Sequence, residues 1–280
     1  MTDGLTHRTL VYHLTCSMMS RIALCTPFVH WPCFFPYFPS FLVPVSSRQE
    51  TPHTHQWGIN PLGPAIAALI IAGGLYGWRG IKKLLARYLP WHVGLSDYLI
   101  AILLPVLLLT VATMVNLLLG TPHSKTAQLQ SWSDLVPRFV FIFLFVGLGE
   151  ETGWRGFAPP ELQKRYSPFA ASLVVGVFWA AWHIPLMGVE FKTNVIAPFL
   201  LSVMAGSVVM AWLFNRTNGG LLPLPLPHAT VNTIGAGYVF PMFVGSANTR
   251  LWWIYSLLWA IVAVALVRTS PKMTQEPGVQ

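Results

Sequence analysis

A few polar side chains stand in strongly hydrophobic stretches of this sequence, and their types suit acid–base chemistry. Glu150 and Glu151 follow the run Phe141-Ile-Phe-Leu-Phe-Val-Gly-Leu-Gly149, and the segment continues Thr-Gly-Trp to Arg155. His183 closes the stretch Phe178-Trp-Ala-Ala-Trp-His183 and is followed by Pro185. His228 and Asn232 follow a proline run, Pro223, Pro225 and Pro227. A carboxylate can take a proton from water, an imidazole can hold or pass one, and an amide can donate to a developing negative charge. Ionisable groups at membrane depth cost about 2.5–3.5 kcal/mol each on insertion scales, so such groups are functional candidates by default.

Spacing limits what each group can do. Adjacent helical residues point about 100° apart, so Glu150 and Glu151 cannot serve one point in the same way. Glu151 and Arg155 are i,i+4 and can pair on one helix face. Glu150 reaches Arg155 only if the helix loosens at Gly153. Trp179 and His183 share a face at the same spacing, as do His228 and Asn232. Pro185 should kink or end its helix, and Pro227 suits a first helical position, with His228 in the first turn. A continuous kinked helix from Leu221 is the alternative. Each element also has a plainer reading. The glutamates can sit among headgroups at a helix end, and His183 can be an interhelical hydrogen bonder.

The elements that must position these groups are set by composition. Of 280 residues, 54% are hydrophobic and 9% charged, mean hydropathy is +0.57, and net charge is +8. A soluble domain carries about 25% charged residues, so this composition excludes a soluble enzyme and a disordered chain alike. It leaves an all-α, polytopic membrane bundle, because each backbone polar group must be satisfied within lipid. Charge-poor runs place seven spans, near 59–78, 98–119, 135–153, 168–187, 194–214, 221–244 and 251–267. One set of loops holds Arg79, Lys82, Lys83, Arg87, Arg155, Lys164, Arg165, Arg216, Arg268 and Lys272. The other holds Lys125, Arg138, Lys192 and Arg250. The first set is expected in the cytoplasm, and the C-terminus with it. In this simple topology Glu150 lies late in an inward-running span and His183 late in an outward-running one. Their depths agree only if a helix is tilted, short or deeply set.

Three expected regions follow: an irregular Pro-rich extension over residues 1–56, a helical domain over 57–268 and a polar tail over 269–280. Residues 22–47 are charge-free but hold five prolines, so an eighth, irregular span and a loosely held extension are the alternatives there. Cys16, Cys25 and Cys33 form no CxxC pair, and His53 and His55 read as linker residues. Gly73 and Gly77 are expected to permit close packing inside the bundle. With no basic block carrying interleaved aromatics, nucleic acid is not an expected partner.

Glu150-Glu151-x-x-x-Arg155, then Trp179-x-x-x-His183, then His228-x-x-x-Asn232 resembles the CPBP family of intramembrane glutamic endopeptidases. This is the Abi family, which includes the type II CAAX prenyl endopeptidases. Trp57-Gly-Ile-Asn-Pro-Leu-Gly-Pro-Ala-Ile-Ala-Ala68 resembles the opening of family members. Trp179 stands where Phe is frequent, and the proline run before His228 is heavier than usual. The resemblance covers residues 57–268. It implies a bundle with a polar chamber facing the cytoplasm and peptide hydrolysis without metal or other cofactor. Glu150 would be the general base and His183 would hold the same water. His228 and Asn232 would stabilise the oxyanion, and Glu151 and Arg155 would orient the carboxylates and help protonate the leaving amine. The implied partners are a peptide or protein substrate, prenylated in some family members, and the lipid bilayer. A non-catalytic immunity or peptide-binding relative, a metal-dependent hydrolase and a transporter are the competing readings.

Overall fold

A computed structural model describes residues 42–44, 57–89, 93–120, 131–188 and 190–275. The expectations for residues 22–41 and 45–47, the three cysteines, the His53–His55 pair and Lys125 lie outside these residues. Strands β1 (Leu42–Pro44) and β2 (Trp57–Ile59) pair in a two-stranded sheet, and the other elements among the described residues are helices. Among the described residues six helical stretches are, by length and composition, long and apolar enough to cross a membrane, the first of them doubled back on itself. The chain is an all-α, multi-pass membrane bundle.

The first expected span is a helical hairpin. Helix α1 (Gly63–Leu85) breaks at Gly77, whose φ of 63° and ψ of −159° suit a residue without Cβ. The return arm packs back on the first. A Cβ on Gly80 would lie 2.5 Å from Ala72 O, and Leu84 clusters with Ala68 and Ala72. The expected close packing holds at Gly73 and not at Gly77. A Cβ on Gly73 would lie 3.2 Å from Ile81 Cδ1 of its own hairpin, while Gly77 faces open space and serves the turn.

Helix α2 (Leu95–Leu118) is capped by Asp97, which accepts from Gly94 N at 3.1 Å. Helix α3 (Trp132–Leu162) runs nine residues beyond the expected end at 153. Two π-helical segments, Ile142–Gly147 and Thr152–Phe157, bracket its α-helical turn Leu148–Glu151. Single π turns widen a helix locally and recur at functional sites. Glycines turn one face of α3 to α1: a Cβ on Gly149 or Gly153 would meet Pro61 O at 2.5 Å or Pro64 O at 2.4 Å. The extra length moves Arg155 out of the expected loops into the bundle, and Arg138 lies near the start of α3, inside the expected span.

Helix α4 (Pro168–Trp182) is capped by Ser167 and stops at His183, where Pro185 opens a short 3-10 turn, Ile184–Leu186. Helix α5 (Thr193–Arg216) is the central element, packed between α4 and α7 (Ser246–Thr269). The expected sixth span is shorter than predicted. Helix α6 comprises Pro225–Thr230 and a π-helical continuation, Val231–Val239. Its lead-in is a turn closed by Leu224 N donating to Leu221 O at 3.0 Å. Pro225, not Pro227, is the first helical residue, so His228 is the fourth. A short α8 (Pro271–Thr274) buries Met273, and Ser270 just before it accepts from Trp212 Nε1 at 2.9 Å.

Charges of the two loop sets gather at two ends. At one end Arg216 pairs with Asp97 at 2.6 Å, Arg87 Nη1 donates to Gly219 O at 3.5 Å, and Lys272 donates to Asn218 Oδ1 at 3.2 Å. At the other, Arg250 Nε donates to Asn116 Oδ1 at 2.8 Å and Asn194 bonds Thr249.

Candidate active site

Two glutamates adjacent in sequence acquire different partners because the turn that carries them points them apart. Glu151 is fully buried, and its Oε1 accepts from Arg155 Nη1 and from His228 Nδ1, each at 3.0 Å. Glu150, 4% exposed, accepts through Oε2 from the indole Nε1 of Trp179 at 2.9 Å. Its Oε1 accepts no hydrogen bond among the described residues.

Trp179 is the hub. Its ring packs edge-on against His183 and against His228, both with centroids 5.8 Å away. The Arg155 guanidinium lies 4.0 Å over its face, within the range for cation–π attraction. His183 is tied to the same residue from below, its Nδ1 lying 2.7 Å from Trp179 O. A carbonyl only accepts, so that nitrogen carries hydrogen and Nε2 is left for other work. His228 is arranged similarly, with Nδ1 on a carboxylate and Nε2 unengaged among the described residues. Phe199 packs edge-on against the far side of His183 at 5.2 Å and closes that flank.

The structure therefore joins Glu150 to α4 through Trp179, and Glu151, Arg155 and His228 to one another. The helix does loosen at Gly153, yet Arg155 takes Glu151 rather than Glu150. Asn232 lies one turn after His228, half-buried and without a hydrogen bond among the described residues. The depth conflict is resolved by α3 extending to Leu162, which leaves Glu150 near its middle, and by Trp179 reaching Glu150 one turn before His183. Among the described residues, buried Arg155 Nη2 and Glu151 Oε2 have no hydrogen-bond partner, and neither do the Thr230 and Thr233 hydroxyls of α6. Unpaired buried polar atoms on this scale mark a place where water or a ligand completes the bonding. Among the described residues no group of three or more His, Cys, Asp or Glu is arranged to hold a metal ion.

Two positioning contacts had no distinct sequence signal. Tyr88 OH lies 2.6 Å from Thr152 Oγ1, which itself donates to Leu148 O at 2.6 Å, so a hydroxyl pair braces the turn carrying both glutamates. Leu221 N donates to Arg87 O at 2.7 Å, which fastens the lead-in of α6 next to that brace. The direct donation from Trp179 to Glu150 likewise carries no sequence signal beyond the place of Trp179 one helical turn before His183.

Residues 132–234, which contain all six candidate residues, match the family described as type II CAAX prenyl endopeptidase Rce1-like. A relative from Methanococcus maripaludis, CAAX prenyl protease 2, is 29% identical over 142 residues, covering 45% of this chain and 52% of the relative. The chain thus spans about half the length of the curated relative it matches.

Proposed function

We propose that this protein is an intramembrane endopeptidase of the glutamic type, with residues 57–268 as its catalytic domain. The observation that carries the reading is Glu150: a buried carboxylate with one oxygen held by Trp179 and the other free, beside two histidines with unengaged Nε2 atoms. The family match over residues 132–234 supports the same class. In this mechanism Glu150 takes a proton from a water that His183 holds through Nε2. The water oxygen bonds to the peptide carbonyl carbon, and the carbonyl oxygen gains the negative charge. His228 donates to that oxyanion through Nε2 as an imidazolium, whose charge the Glu151 carboxylate neutralises through Nδ1. Asn232 supplies a second donor. Collapse breaks the C–N bond, and the proton held on Glu150 passes to the leaving amine. Arg155 and Glu151 orient the set, and no metal ion takes part.

The M. maripaludis relative is named for prenylated CAAX substrates, and a prenylated C-terminal peptide is the first substrate to try here. The end carrying Arg87, Arg216 and Lys272 would face the cytoplasm, together with the C-terminus. The decisive experiment incubates detergent-purified protein with prenylated and plain peptide libraries, with and without a chelator. Cleavage should persist with chelator and fall by a factor of about 10² to 10⁴ in Glu150→Gln, the usual contribution of a general base. Chelator-sensitive cleavage would assign a metal-dependent hydrolase, and no cleavage by the wild type would favour a non-catalytic relative.

A further inference from the structure

The α1 hairpin exposes two kinds of surface side by side on its return arm. Trp78 and Leu85 are 65% and 47% exposed and at about 100° per residue fall on one line, and Leu89, 67% exposed, follows the 3-10 turn Ala86–Tyr88. Lys82, Arg79 and Lys83 follow in order round the same exposed side, while Gly80 and Leu84 are buried against the first arm. Lys82 Nζ sits 5.7 Å over the Trp78 ring. The basic surface continues across the hairpin turn. Tyr76 OH donates to Glu161 Oε2 at 2.7 Å and lies 3.0 Å from Lys164 Nζ, with exposed Arg165 next in sequence. Glu161, the acid within this patch, is already engaged by Tyr76 and Lys164, and no acidic residue occurs between Trp78 and Ser96. An apolar line with an indole, flanked by cations on one side only, is the chemistry of a helix lying at the lipid boundary. Orientation in the membrane needs positive charge in a loop; it does not need that charge aligned beside exposed Trp78 and Leu85.

We infer that the α1 hairpin is a binding surface for anionic phospholipid headgroups. Arg79, Lys82 and Lys83 take the phosphodiester, and the acyl chains lie along Trp78, Leu85 and Leu89. This inference does not depend on the proposed catalysis. It is tested on the full-length protein by native mass spectrometry in mixed phosphatidylglycerol and phosphatidylcholine micelles. The wild type should retain phosphatidylglycerol in preference to phosphatidylcholine. Each neutralised cation should weaken that binding by about fivefold, the effect of a basic residue at an anionic surface. Arg79→Gln/Lys82→Gln/Lys83→Gln should therefore lose about a hundredfold, with an unchanged melting temperature in neutral detergent reporting an intact fold. Arg268→Gln/Lys272→Gln, at another basic site, should keep wild-type binding. Three results would overturn the assignment: wild-type lipid affinity in the triple variant, equal loss in the Arg268/Lys272 variant, or displacement of the lipid by soluble polyglutamate, which would make the partner an acidic polypeptide.

Discussion

Two Arg–carboxylate pairs in this molecule have similar contact distances and opposite surroundings. Glu151–Arg155 closes at 3.0 Å inside α3, with side-chain exposures of 0% and 1%. Asp97–Arg216 closes at 2.6 Å at one end of the bundle, with 10% and 44%. The end pair keeps much of its hydration, so attraction and desolvation nearly cancel. The inner pair has lost its water, and its attraction offsets that loss only with good geometry and further hydrogen bonds. His228 supplies one such bond, Trp179 lies under the guanidinium, and Nη2 and Oε2 still lack hydrogen-bond partners among the described residues. A pair kept at that cost without being fully satisfied is better explained by the site it serves than by stability. The difference between the pairs is therefore a claim about where charge is structural and where it is chemical.

The largest expected effect comes from breaking the inner pair on one side. Arg155→Ala leaves a buried carboxylate facing His228 and should destabilise the protein by about 3–5 kcal/mol, read from unfolding in mixed detergent micelles. Replacing both partners, as Glu151→Gln with Arg155→Met, should restore most of that stability, because an apolar or neutral filling often matches a buried ion pair. Activity should stay lost in the double variant. If activity returned with stability, the inner pair would be structural like the outer one.

Gly153→Ala tests the packing that turns the glutamates inward. Its Cβ would lie 2.4 Å from Pro64 O, which is backbone and cannot swing away, so overpacking should cost about 1–3 kcal/mol. Trp179→Phe is gentler, since it keeps a ring between the histidines and removes the donor to Glu150. Loss of a hydrogen bond to a charged group is about 1.5–3 kcal/mol at most, and water replaces part of it, so cleavage should fall by roughly tenfold with the fold intact. A variant as active as the wild type would mean that the indole bond does not hold Glu150 for chemistry.

The candidate site was legible in the sequence because polar residues in a membrane bundle are few and must face inward. Glu151 and Arg155 could be paired from spacing alone, since i,i+4 contact is a property of one helix. The break before His183 followed from Pro185. Contacts between elements were not available to that logic. Nothing local says that Trp179 on α4 reaches Glu150 on α3, or that His228 takes Glu151 rather than standing free beside Asn232. Hydropathy also ended α3 at 153 because Glu150, Glu151 and Arg155 read as a boundary, although their mutual pairing lets the helix continue to Leu162. It treated α1 as one span because a run of apolar residues carries no sign that the chain doubles back at Gly77.

The smallest expected effect closes the comparison from the outer side. Asp97→Asn removes the charge opposite Arg216 but keeps an oxygen able to accept from Gly94 N, so the cap of α2 survives. With Arg216 nearly half exposed, the loss should be about 0.5 kcal/mol, and raising salt should shrink the difference between variant and wild type. Unfolding measured at low and high salt for both proteins checks this. A loss of several kcal/mol, insensitive to salt, would show that the end pair is as dehydrated in the membrane-bound protein as the inner one. The contrast between structural and chemical charge would then fail at its easier half.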